Sequence, residues 1–346
     1  METFLRQTET IISSPSVVAE SEDAEDAVAD VEWRAFTVSI EQHGERLDRA
    51  LVHAASEFSR NYLQQLIEDG CVEVNGRAVF KMSLRVKAGD SVKLELRPTP
   101  QSQAFKPEAM SLNVVFEDSH LMVIDKPAGL VVHPAPGNWS GTLLNGLLAY
   151  DPAFALVPRA GIVHRLDKDT SGLMVVARTR AAMDALVQAI AARKVSRQYL
   201  TLAHAPWTGS RSVSVEAPIG RDPRNRLRMA VVDLAVHPGK TAKTDFVLLG
   251  NAGVGCFVRC ILHTGRTHQI RVHMASIGHP LIADTVYGGV SVPLMGRQAL
   301  HAYRLAFEHP ITGAPLAFES SLPADFDGLL KAWCLSYNAP ESLQSS

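Results

Sequence analysis

The feature that most limits how this chain can fold is residues 161–177, where a charged loop is set between two apolar, β-prone runs. Ile162-Val163 on one side and Leu173-Met174-Val175-Val176-Ala177 on the other read as buried strands. Between them, Asp167-Lys168-Asp169-Thr170-Ser171-Gly172 is rich in turn-forming residues. The pattern lifts a carboxylate off a rigid sheet edge onto a loop, with Arg165 two residues before it. Two readings are open at this point. The loop is either a chemical site or ordinary turn chemistry, in which carboxylates and hydroxyls satisfy nearby N–H groups.

A length of 346 residues accommodates two domains of ordinary size, and a hydrophobic fraction of 46% allows each a core. No apolar run approaches the length that spans a bilayer, so the reading is of no membrane partner. The N-terminus lacks the basic-then-apolar pattern of a secretory signal. The four cysteines (Cys71, Cys256, Cys260, Cys334) form no C-x-x-C pair, which points to a reducing, cytoplasmic setting with neither disulfides nor a zinc site. The net charge of −2 conceals an asymmetry. Residues 1–32 hold nine acids and one base, so the rest of the chain carries 33 bases against 27 acids. An acidic tail ahead of a mildly basic body permits an anionic partner without demanding one.

Residues 1–34 read as a disordered acidic tail. Residues 35–97 form a compact unit. Ala35-Phe36-Thr37-Val38-Ser39-Ile40 alternates as a strand, with Phe36, Val38 and Ile40 on one face. A helix begins at Arg46. Ser59 is placed to cap a second helix carrying Arg60, Leu63, Leu66 and Ile67. Val72-Glu73-Val74, the hairpin signal Asn75-Gly76, and Val92-Lys93-Leu94-Glu95-Leu96 complete it. Residues 98–111, opened by Pro98-Thr99-Pro100, read as a linker. A second domain spans 112–337, followed by a short tail, 338–346.

In that domain, strands are expected at 112–118, 121–125, 198–203, 257–262, 305–307 and 316–319. Helices are expected at 142–150, at 180–192 behind a Thr179 cap, from about Thr267, and from about Ala324. Arg221, Arg224, Arg226 and Arg228 share a segment broken by Pro223 and Asn225, which reads as an exposed basic hairpin suited to phosphate contacts. In the second polar cluster, 263–274, Arg271 follows His268 by three residues and would share a helical face with it. The histidines His263, His268, His273 and His279 match no zinc spacing, so no metal is expected. Many strands with few crossover helices argue for an α+β fold, a largely antiparallel mixed sheet with flanking helices.

Two resemblances sharpen these readings. About 50 residues of the unit at 35–97 resemble the S4 RNA-binding module, a small α/β domain in which Arg46, Arg49, Arg60, Arg77 and Lys81 would form a phosphate-facing patch. The run His164-Arg165-Leu166-Asp167-Lys168-Asp169-Thr170-Ser171-Gly172-Leu173 is similar to the signature of the RluA-type pseudouridine synthases. Lys126-Pro127-Ala128-Gly129, Tyr199 and Thr264-Gly265-Arg266-Thr267-His268-Gln269-Ile270-Arg271 agree in type and order. Within that family, residues 131–134, 160–164 and 297–302 look most like members acting on large-subunit (23S) ribosomal RNA.

The resemblance implies conversion of uridine to pseudouridine in helix 69 of that RNA, by a monomer without cofactor or metal. It makes Asp167 the catalytic aspartate, Tyr199 the ring that stacks on uracil and Arg271 the partner of the aspartate. Arg165 is implied to place the flipped nucleotide. His164, Arg266, His268, Arg60, Arg226 and Arg228 complete the expected substrate-binding set. Arg197 stands where many members have lysine, and Ala283 where glycine often precedes Asp284; neither departure is expected to touch the implied chemistry.

The chemistry requires breaking the C1′–N1 bond, turning the detached uracil and re-forming the bond at C5. A carboxylate can serve as nucleophile or as base, and both roles remain open. Asp169 is expected to order the loop. A second class of function is an RNA-binding ribosome-assembly factor whose catalysis is dispensable. A glycosidase using Asp167 and Asp169 fits less well, because two residues on one tight loop do not flank a sugar from opposite sides.

Overall fold

The computed structural model describes residues 32–55, 60–96, 102–135 and 137–337. Residues 1–31 of the acidic tail, the Ser59 cap, most of the expected linker's polar stretch and the C-terminal tail lie outside them, whereas residues 32–34, read as part of that tail, open the first strand. The chain divides into two units that meet between Pro98 and Thr99.

In the first unit β1 (Glu32–Thr37) precedes α1 (Leu47–Ala54) and α2 (Arg60–Glu68), and β2 (Val72–Val74), β3 (Arg77–Ala78) and β4 (Ser91–Leu96) follow. The sheet order is β1-β4-β2-β3. Asn75 and Gly76 both take positive φ, 53° and 73°, as the two-residue turn between β2 and β3 requires. Leu47, Leu51, Leu63, Leu66 and Ile67 pack from the helices onto Val72, Val92 and Leu94 of the sheet. The expected strand at 35–40 is shifted: β1 ends at Thr37, and Ile40 is 86% exposed rather than on the buried face. Backbone bonds explain the shift, since Gln42 and His43 N–H donate to the carbonyls of Ser39 and Ile40 and turn the chain there.

The second unit is built on one nine-stranded sheet. Its elements are β5 (Val114–Glu117), β6 (Leu121–Lys126), α3 (Leu143–Tyr150), β7 (Ser171–Ala177), α4 (Arg180–Ala191), β8 (Ser196–His204), β9 (Ser212–Glu216), β10 (Ile219–Arg221), β11 (Met229–Val231), β12 (Gly239–Lys240), β13 (Lys243–Ala252), β14 (Gly255–Leu262), α5 (Gln269–Ser276), β15 (Leu300–Glu308), β16 (Pro315–Glu319) and α6 (Ala324–Ala332). The large sheet runs β5-β6-β7-β15-β8-β14-β13-β9, with β16 added on β15, while β10, β11 and β12 form a small separate sheet. Only the β7–β15 pairing among these strands is parallel, so the α+β class with a mainly antiparallel sheet holds.

The apolar run at 173–177 explains where β7 sits. Met174 and Val176 pack with α3 and α5, through Leu143, Leu147, Ile270 and Met274. Leu173, Val175 and Ala177 pack on the opposite face with Ala182 and Leu186 of α4. A strand covered on both faces gains burial from every residue, roughly 1.5–3 kcal/mol for each large aliphatic side chain, which removes any alternation. Ile162 is not part of a strand; it makes a single bridge to Val176, so the chain leaves the sheet and returns to it around the loop at 163–170.

The linker reading also needs revision. Residues 102–105 form a short 3-10 turn, and the Asn145 amide donates to the carbonyls of Ala104 (3.3 Å) and Lys106 (2.8 Å). Glu108 accepts from the Gly141 N–H. The segment is thus docked on α3 and belongs to the second unit.

β15 approaches β7 so closely that only glycine fits at 172. Its φ is +115°, and a Cβ there would lie 2.2 Å from the Ala302 carbonyl oxygen. Gly172→Ala should therefore cost at least about 1–3 kcal/mol, through forbidden backbone geometry and steric overlap. Urea denaturation will check this, and an unchanged midpoint would contradict it.

Candidate active site

The loop at 163–170 is a fixed platform, and its backbone carbonyls show how. The Asp167 carbonyl accepts from the Thr170 N–H (3.1 Å). The Lys168 carbonyl accepts from Gly129 N–H and from Lys126 Nζ, both at 2.9 Å. The Asp169 carbonyl accepts from Arg297 Nη1 (2.9 Å), whose guanidinium is held in turn by Asp325. Lys126 is 1% exposed and gives its remaining two protons to the carbonyls of Pro127 and Leu130. Burial pushes its ammonium down to about 8, against the opposing pull of Asp169 and Asp167. The expected loop-ordering role of Asp169 does not fall to its side chain, which makes no hydrogen bond among the described residues. Its backbone carbonyl does that work.

Asp167 stands on this platform with 17% of its side chain exposed, facing Arg271. Arg271 comes from α5, but that helix begins at Gln269 and not at Thr267. His268 precedes it in a left-handed conformation (φ 56°, ψ 22°), so the expected shared helical face is absent. The cause is the Gln269 side chain, whose Oε1 accepts from Thr264 Oγ1 (2.7 Å) and the Arg266 N–H (3.0 Å) and folds residues 264–268 into a turn.

Arg271 is shared by two carboxylates. Its Nε and Nη2 donate to the two oxygens of Asp284 at 2.6 and 2.7 Å, and Nη1 donates to Asp167 Oδ2 at 3.0 Å. Asp284 is fully buried and Arg271 nearly so. Burial alone would favour the neutral guanidine, but the two acids outweigh it and hold Arg271 above its ordinary value. The bidentate grip fixes the plane of the guanidinium, and Asp167 receives the one edge left over.

His268 approaches the other oxygen of Asp167, with Nε2 3.9 Å from Oδ1. Its Nδ1 lies 2.8 Å from the Tyr287 hydroxyl, which itself accepts from the Met229 N–H (3.1 Å). Burial pushes the His268 pKa down, opposed by Asp167 and aided by Arg271, so the ring is neutral at neutral pH.

Tyr199 on β8 is 5% exposed and lines the same cavity, of about 520 Å³, as Asp167 and Arg271. Burial pushes its phenol up to about 12, so the ring stays neutral. His164, Arg165, Arg266 and His268 line that cavity too. His164 Nε2 accepts from the Val175 N–H (3.1 Å), and burial with nearby Arg197 pushes the ring down to about 3.

The structure thus assembles Asp167, Tyr199, Arg271, Arg165, His164, Arg266 and His268. It does not bring Arg226 and Arg228 to the cavity. They lie on the exposed turn between β10 and β11, where Arg228 pairs with Asp222 at 2.7 Å. Arg60 is in the other unit, sharing the buried Asp48 carboxylate with Arg46 and Gln64 while about half its side chain stays exposed. For Asp48, burial raises the pKa, but these three partners overcome it and hold the carboxyl far below its ordinary range. The other histidines have structural partners: His263 pairs with Asp245 (2.6 Å), His273 contacts Thr244 (2.9 Å), and His279 stacks on Trp207. Sequence reasoning missed Asp284, Lys126 and Arg297 as site-forming residues; the turn at 284–289 and the stretch at 126–129 were the available signals.

The cavity thus holds a carboxylate paired with a guanidinium, with the ring of Tyr199 in the same wall. The RNA pseudouridylate synthase family model matches residues 120–276 and the S4 domain model matches residues 45–92. The chain is 45% identical over 323 residues to "Ribosomal large subunit pseudouridine synthase D" of Neisseria meningitidis serogroup B, covering 90% of this chain and 84% of that protein. It is 47% identical over 305 residues to the protein of the same name in Nitrosomonas europaea, covering 86% of this chain and 87% of that one. A solved structure titled "Human RNA Pseudouridylate Synthase Domain Containing 4" shares the fold, with a TM-score of 0.51 at 23% identity, over 66% of this chain and 95% of that one. This chain belongs to the RNA pseudouridylate synthase family, whose members isomerise uridine to pseudouridine in RNA.

Two consequences can be measured. Asp284→Ala strands the inner edge of a buried guanidinium, so stability should fall by about 3–5 kcal/mol in urea denaturation; a loss below about 1 kcal/mol would contradict the shared-arginine geometry. Lys126 holds the loop with three protons below about pH 8 and with two above it. Turnover should therefore fall as pH rises through about 8, and that limb should be absent from the slower Lys126→Met variant.

Proposed function

We propose that this protein isomerises uridines of large-subunit (23S) ribosomal RNA, in helix 69, with Asp167 as the reacting carboxylate. The observation that carries the reading is the 3.0 Å contact between Asp167 and Arg271 on the wall of the cavity that Tyr199 lines. The names of the two bacterial relatives support the large subunit as the source of the RNA.

Arg271 gives Asp167 a charged hydrogen-bond partner in a pocket that excludes water once a base occupies it. Tyr199 stacks on the uracil and retains it after C1′–N1 cleavage, worth about 1–3 kcal/mol. Arg165, His164, Arg266 and His268 receive the nucleotide around that ring. Removing the target from its stack costs a few kcal/mol, least for a base in a loop. The S4 unit with Arg60, and the hairpin with Arg226 and Arg228, supply phosphate contacts that offset this cost. The protein acts as a cytoplasmic monomer and needs no cofactor.

The test is release of tritium from C5-labelled ribosomal RNA. The wild-type protein should release it, and Asp167→Asn should abolish release while RNA affinity stays within about twofold. Normal turnover by the Asn variant would remove Asp167 from the chemistry.

A further inference from the structure

Among the described residues six arginines line the cavity, and five are either exposed or hydrogen-bonded. Arg159, Arg165 and Arg193 are exposed to solvent. Arg266 donates to the Thr241 carbonyl (3.1 Å), and Arg271 serves the two acids. Arg197 differs. It is 7% exposed, and among the described residues it forms no ion pair and donates no hydrogen bond. Its Nε is fully enclosed with no partner. Nη1 would lie 2.7 Å from a Cβ on Gly265, so the glycine leaves the room that the guanidinium occupies.

Beside it lies a second donor without an acceptor. His164 Nε2 accepts a backbone N–H, so the neutral ring carries its proton on Nδ1, which is enclosed and unpaired. Burying a guanidinium with no counter-charge is costly, and a site that does so is built for an occupant that supplies acceptors. Arg197 is two residues from Tyr199 on β8, hence on the same strand face and about 7 Å away along the strand. The groups that meet RNA phosphates are the exposed arginines; this enclosed one faces whatever lies on the tyrosine ring.

We propose that Arg197, backed by the Nδ1–H of His164, is an oxyanion site for the uracil carbonyl oxygens, holding the flipped base and taking up its charge once it is detached. This rests on the reading of the cavity as a uridine pocket. The electron count demands such a group under either role of Asp167. If Asp167 attacks C1′, a C1′–O bond forms and the C1′–N1 pair departs on N1. If it removes the C2′ proton, the C2′–H pair becomes a C1′=C2′ double bond and the N1 pair departs likewise. In both cases the negative charge leaves the carboxylate at Arg271 and spreads over N1 and the carbonyl oxygens of uracil. Attack by C5 on C1′ then returns that charge to Asp167, and the C5 proton is exchanged for one on N1. Arg271 stabilises the resting charge, and Arg197 the displaced one.

The test compares Arg197→Met and Arg197→Lys in single turnover on RNA carrying uridine or 5-fluorouridine, whose base forms the more stable anion. The isomerised nucleoside is quantified after nuclease digestion. Arg197→Met should slow uridine conversion by about 10²-fold with unchanged RNA affinity, and slow 5-fluorouridine rearrangement markedly less. Arg197→Lys, which keeps the charge, should recover most of the rate. Should Arg197→Met fail to fold, Gly265→Ala, whose Cβ displaces Nη1, should show the same substrate contrast. Weaker RNA binding with unchanged turnover would make Arg197 a phosphate contact and overturn the proposal. Equal losses on both substrates, or equal losses in the Met and Lys variants, would overturn it too. A wild-type protein that converts no uridine would instead sink the functional reading itself.

Discussion

One guanidinium between two carboxylates sets the terms for the rest of the catalytic unit. Arg271 offers three N–H groups to acids; Asp284 takes two and leaves one for Asp167. Two carboxylates share this one cation, and Asp167 is the more exposed of the two, on the cavity wall. A buried pair of this kind adds little net stability, since desolvation consumes most of the Coulombic gain. It is better understood as a device for orientation. Asp284 cannot reach the substrate, yet it decides which way the arginine points.

The scaffold serves that arrangement. β7 is buried on both faces from Ser171 onward, while Lys126 and Arg297 hold the two carbonyls that follow Asp167 within its own turn. The loop is ordered in part by cations that reach its backbone from distant segments. Positive charge around the cavity is then divided by depth. Exposed arginines surround the entrance, and two enclosed ones lie inside, Arg271 beside the carboxylate and Arg197 beside the tyrosine.

Much of this was legible in the sequence. The unbroken apolar run at 173–177 announced a strand covered on both faces, Thr179 announced the start of α4, and Asn75-Gly76 the hairpin turn. Asp167, Tyr199 and Arg271 were singled out through their motifs and do meet in space. What stayed hidden has a common physical cause. The contacts Arg271–Asp284, Lys126–Lys168 and Arg297–Asp169 join residues 13, 42 and 128 positions apart, and none leaves a periodic trace. The start of α5 was misplaced because a Gln269 side chain, rather than propensity, ties back residues 264–268. Segment 102–110 read as a linker from its polar composition, whereas Asn145 anchors it to α3 through two carbonyls. Ile40 looked inward by alternation, which a turn at Ser39 interrupts.

The most direct test of the central claim is a crystal structure of the protein with a short RNA hairpin carrying 5-fluorouridine at the target position. The account predicts the base stacked on Tyr199, an Asp167 oxygen within about 3–3.5 Å of C1′ or of the carbon bearing the C2′ proton, and Arg271 still gripping both acids. A target nucleotide seated elsewhere, or one whose sugar lies beyond the reach of Asp167, would contradict it.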